Sequence, residues 1–98
     1  MNQTPALYEL MGAYFHQDWA LDAADEWTVV DSFVDGEPDL APLLPAEVEW
    51  ALTHFTSETD LKRYILDDLG AGYLADWNGT TYREWLTQIA DRVRKATA

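Results

Sequence analysis

His16 and Asp18 are the pair with the most evident capacity for chemistry, because imidazole beside carboxylate is the usual arrangement for proton transfer. They sit in the block Tyr14-Phe15-His16-Gln17-Asp18-Trp19. No further catalytic group is spaced to complete a site, and His16 falls where the first predicted helix ends, a place where the helix dipole favours a cation. The preferred reading is structural. Tyr14, Phe15 and Trp19 can each bury about 150 to 250 Å², and His16, Gln17 and Asp18 must then face water or find partners.

Other chemistries fail on residue type or spacing. Asp18, Asp22, Asp25 and Glu26 offer carboxylates for Mg²⁺, but a loop entering a capped helix produces the same spacing. Counted from Asp31 as a calcium loop, the third position is Phe33 and the twelfth is Pro42, so two expected ligands are missing. With no cysteine and two histidines, neither a disulfide framework nor a zinc site is expected. Neither histidine carries the signature of an activated nucleophile, and no phosphate-binding glycine loop or dinucleotide fingerprint occurs. The expectation is a protein that is not an enzyme and that holds no cofactor or metal.

The elements that would position these groups read as helices. Thr4-Pro5 is an N-cap followed by proline at the first helical position, and Leu7, Leu10, Met11, Tyr14 and Phe15 recur at helical spacing over residues 5–16. Gly12 inside that helix suggests close approach of another backbone. Residues 17–24 read as a connection. Asp25 caps a second helix with Trp27, Val30, Phe33 and Val34 on its apolar side, and Asp35-Gly36 ends it with glycine in a left-handed C′ conformation. Pro42 and Pro45 break the next apolar series into a one-turn segment and a helix over residues 45–55, on which Trp50 and His54 share a face and can stack.

Ser57 and Asp60 resemble a capping box for a helix over residues 58–69, closed by Gly70. Asp67 and Asp68 lie in its last turn, where the dipole disfavours negative charge, and so call for a nearby arginine or a basic partner. Residues 71–80 form a loop with a turn signal at Asn78-Gly79, and a tiny hairpin near residues 73–80 is a candidate. Thr81 and Glu84 open a final helix with Trp85, Leu86, Ile89, Ala90 and Val93 on one stripe. The fold class predicted is all-α: a compact single-domain bundle of about five helices with short loops, spanning residues 1–98.

Charge is the most informative bulk property. The 98 residues carry 18 acidic and 6 basic side chains, a formal net charge of −12. No lysine or arginine precedes Lys62, so residues 1–61 hold 13 acidic groups and no basic ones. Such asymmetry repels phosphate and anionic lipid and draws in a positively charged partner. No apolar run approaches the roughly 18 to 20 residues of a membrane span, and the N-terminus lacks a secretory pattern. A cytoplasmic protein that contacts neither membrane nor nucleic acid directly, as a monomer or weak dimer, is expected.

The run Leu7-Tyr8-Glu9-Leu10-Met11-Gly12-Ala13-Tyr14-Phe15-His16-Gln17-Asp18-Trp19 resembles the opening of the contact-dependent growth inhibition immunity protein family. Trp27, Val30 and Phe33, the Leu69-Gly70 step, and Gly79-Thr80-Thr81-Tyr82-Arg83-Glu84-Trp85-Leu86 are similar to later parts of that family. Pro42 and Pro45 interrupt what is usually an unbroken helix there. The resemblance implies a cytoplasmic protein that binds the C-terminal toxin domain delivered by a neighbouring cell and holds it inactive. Many such toxins are nucleases with basic clefts, which an acidic helical surface can fill by mimicking phosphate.

From charge alone, the expected contact surface is the band Asp22, Asp25, Glu26, Asp31, Asp35, Glu37 and Asp39, with Trp50 as an aromatic anchor. Two other readings stand beside it. An acidic adaptor or nucleic-acid mimic would bind a basic host regulator, and a pull-down would retrieve a housekeeping protein. A metal-dependent enzyme would use the carboxylates from Asp18 to Glu26, and calorimetry with Mg²⁺ or Mn²⁺ would detect it.

Overall fold

The computed structural model describes residues 4–16, 18–22, 24–73, 75 and 79–97. Pro5 pre-sets the backbone for α1 (Pro5–Glu9), which runs directly into a π-helical turn, Leu10–Tyr14, closed by the Phe15 N–H on the Leu10 carbonyl at 2.8 Å. A short α2 (Trp19–Asp22) follows within what the sequence suggests is a plain connection. Then come α3 (Glu26–Gly36), a 3₁₀ turn (Ala41–Leu43), α4 (Leu44–His54), α5 (Glu58–Arg63) with its π-helical continuation Tyr64–Asp68, and α6 (Tyr82–Thr97). The described residues contain no strand, and the hairpin expected near residues 73–80 falls largely on residues outside them.

The local signals act as expected at most helix starts. Asp25 Oδ1 accepts the Thr28 backbone N–H at 2.8 Å and its hydroxyl at 2.9 Å, Ser57 Oγ accepts the Asp60 N–H at 3.1 Å, and Thr81 Oγ1 accepts the Glu84 N–H at 3.0 Å. Gly70 ends the α5 segment at φ +77°, and the Ala71 N–H returns to the Ile65 carbonyl. Pro42 and Pro45 fall in the 3₁₀ turn and the first turn of α4, where their missing N–H groups leave no helical bond unmade.

Gly36 departs from expectation. It is the last residue of α3, with no positive φ, and Glu37 forms the C-cap. A Cβ on Gly36 would lie 2.6 Å from the Tyr14 hydroxyl oxygen, so a larger residue there would displace the end of that side chain, and no left-handed turn is involved. Gly12 meets its expectation, since a Cβ there would come within 3.1 Å of the Leu69 carbonyl oxygen.

α6 is the axis of the core. Its face of Tyr82, Trp85, Leu86, Ile89, Ala90 and Val93 is buried against α3, α4 and α5. Trp85 stacks on Tyr73 with ring centres 4.4 Å apart, and Phe15 meets Trp85 edge-on at 5.1 Å. Trp19, half-buried, packs on Phe15 and Tyr73 at 5.7 and 5.6 Å, so the aromatic opening block is tied to the closing helix.

Candidate functional site

The acidic residues divide into those that hold the fold and those that do not. Glu47, buried on the first turn of α4, accepts the N–H groups of Leu7 at 2.9 Å and Ala6 at 3.1 Å, and so caps α1 from another helix. Thr4, at the N-cap itself, makes no side-chain cap and instead shares a hydrogen bond with the Tyr64 hydroxyl. Burial pushes the Glu47 carboxyl above its usual range, and its two backbone donors only partly offset this. Glu58 does the same for α6, accepting the N–H groups of Tyr82 at 2.6 Å and Arg83 at 3.2 Å. Arg83 donates in turn to the Phe55 carbonyl at 2.7 Å and the Leu52 carbonyl at 3.2 Å, which closes the end of α4. These three tertiary caps have no local sequence signal, because each joins residues 24 or more apart.

Within the acidic band, Asp25 is occupied as an N-cap. Asp31 forms a two-pronged pair with Arg92, both bonds at 2.8 Å, and the guanidinium also lies 5.6 Å from the Trp27 ring centre. Asp25 and Asp31 are both held below the usual carboxylate range, Asp25 chiefly by the Thr28 N–H and Asp31 chiefly by Arg92. Glu26, Asp35, Glu37 and Asp39 remain, and among the described residues no lysine or arginine pairs with them. The Tyr14 hydroxyl bonds to Glu37, and its pKa is raised first by burial and then by the charges of Glu37 and Glu9. Asp22 lies on α2, beside the start of the band.

Trp50 belongs to a different group. It stacks on His54 at 4.8 Å with 10° between ring planes, and it packs on Phe55 and Tyr64, each at 6.2 Å. Those partners lie on α4, on the link after it and on the π-helical continuation of α5, outside the band.

The residues first considered for chemistry are engaged locally. His16 Nδ1 accepts the Asp18 backbone N–H at 3.1 Å, fixing a turn. Asp67 and Asp68 are exposed, and no arginine among the described residues pairs with them. Among the described residues no group of three His, Asp or Glu could hold a metal ion, and no helix is long and apolar enough to cross a membrane.

The family model described as CdiI immunity protein matches residues 3–93, from the start of α1 nearly to the end of α6. The chain belongs to the CdiI immunity protein family. No curated protein and no solved structure matches it. Membership makes this an immunity protein against a contact-dependent growth inhibition toxin, with a cognate toxin as its partner. The match takes in both aromatic blocks, the three tertiary caps and the whole acidic band. For a CdiI immunity protein, the surface to explain is therefore one that captures another protein.

Proposed function

We propose that the protein binds the C-terminal domain of its toxin in the cytoplasm and blocks it through the acidic surface of α3 and the segment after it, and that the toxin is a basic nuclease. The observation that carries this reading is the run Asp35, Glu37 and Asp39, none of which pairs with a lysine or arginine among the described residues. Other carboxylates have structural duties, at Glu47, Glu58, Asp25 and Asp31, and Glu37 bonds to Tyr14, which leaves Asp35 and Asp39 without such a duty among the described residues. A nuclease cleft built to hold phosphate presents lysine and arginine to such a surface. Long-range attraction of this kind raises association to about 10⁸ to 10⁹ M⁻¹s⁻¹ at low salt. The protein acts as a single-domain binder without catalysis. Co-expression with the adjacent toxin domain in a sensitive cell tests the reading: growth is expected to be restored, and continued killing overturns it. Degradation of nucleic acid by the toxin alone, suppressed by the added immunity protein, identifies the nuclease.

A further inference from the structure

Among the described residues three large apolar side chains are well exposed: Leu21 at 83%, Tyr8 at 53% and Leu43 at 48%. Exposed leucines are common singly, and exposure alone would mean little. Leu21 differs in its setting. It lies on α2, a four-residue helix flanked by Asp18 on one side and by Asp25 and Glu26 on the other, with exposed Ala20 and Ala24 beside it. Carboxylates flank Leu43 as well, at Asp39 and Glu49, and what sets Leu21 apart is its exposure, 83% against 48%.

The element that presents Leu21 is held down. Trp19 packs on Phe15 and Tyr73, while the N–H groups of Trp19 and Leu21 bond to the carbonyls of His16 and Asp18, each at 3.0 Å. Two residues on from Trp19 is about 200° round a helix, so the anchoring of the indole turns Leu21 away from the core. A pinned apolar tip loses little freedom when a partner covers it. An apolar centre with a polar rim is the usual layout of an interface, with the energy concentrated at the centre.

We propose that Leu21 is the apolar anchor of the toxin interface, entering an apolar pocket rimmed by lysine and arginine on the toxin domain. This rests on the toxin-binding reading above and deepens it by naming the contact. It also moves the anchor from Trp50, whose ring packs within its own chain, to a side chain with no role in the core. The carboxylates beside α2 set the approach, and Leu21 sets how long the complex lasts.

The test uses the full chain and the purified, catalytically inactivated toxin domain, with binding followed by interferometry across a salt series. Leu21→Ser is expected to weaken affinity tenfold or more through faster dissociation, with the association rate and the salt slope unchanged. Leu21→Met should bind as the wild type does. Hydrogen exchange should show the α2 amides slowed by added toxin domain. Binding of Leu21→Ser within twofold of wild type overturns the proposal, as does an α2 that gains no protection. Failure of the wild-type chain to bind the toxin domain at all overturns the toxin-binding reading itself, a result that is distinct from indifference at Leu21.

Discussion

Glu58 Oε2 accepts the Tyr82 backbone N–H at 2.6 Å, so the first turn of α6 is capped by a carboxylate from α5. Thr81 supplies a cap of its own to Glu84, and the two together leave few orphan donors at the start of the helix that carries the core. Glu58→Ala is expected to lower stability by about 1 to 2 kcal/mol, at the upper end for a lost cap, with Glu58→Gln recovering part of it. Chemical denaturation of the three proteins is the check.

Glu47→Ala should cost more than Glu47→Gln, because alanine strands two buried amides, each worth about 1 to 3 kcal/mol when unsatisfied. The pH dependence has a definite sign. Burial raises the folded-state pKa of Glu47 above its ordinary 4.5. Its contribution is therefore fully present below about 4.5 and is lost as pH rises through the raised value. Stability of the wild type relative to Glu47→Gln should fall over that window, measured by denaturation at a series of pH values. A flat difference would refute the assignment.

Gly36→Ala places a methyl group against the Tyr14 hydroxyl. The helix gains roughly 0.4 to 1 kcal/mol from losing glycine, and displacement of the tyrosine offsets that gain. In a Tyr14→Phe background the obstruction is gone, so the same substitution should raise the melting temperature. The non-additivity of the two changes is the measurement.

Trp85→Ala removes a fully buried ring and should cost about 3 to 5 kcal/mol, while Trp19→Ala, half-buried, should cost less than that. Thermal melts of the two variants rank them directly. Trp19→Ala should also weaken toxin binding, through loss of the platform beneath Leu21.

Charge reversal at Asp35 and Asp39 should slow toxin association, flatten its salt dependence and leave the melting temperature unchanged, since neither pairs with a base among the described residues. Asp31→Lys should differ by also losing stability, about 0.2 to 1 kcal/mol for an exposed pair with Arg92. Stopped-flow association and melting curves separate the two effects.

Much of the fold is legible in the sequence because it depends on local spacing. The caps at Asp25, Ser57 and Thr81 and the Trp50–His54 stack all join residues within four positions, and Gly70 marks its turn by residue type alone. The π-helical ends at Tyr14 and Asp68 are not legible, because an extra residue in a turn has no side-chain signature. The caps from Glu47 and Glu58 join distant residues and are equally hidden. The acidic band is visible as composition, but its division into structural and free carboxylates appears only once Arg92 and Thr28 are placed. The sequence suggests a left-handed C′ turn at Gly36, and the structure has none there, because the cap falls one residue later, on Glu37.

The cap that Glu47 places on α1 bears on the order of assembly. As the nascent chain leaves the ribosome, α1 emerges before α4, and the carboxylate that finishes it lies 40 residues further along. Beginning and middle must therefore mature together, and a fragment released early would leave bare amides at its leading edge.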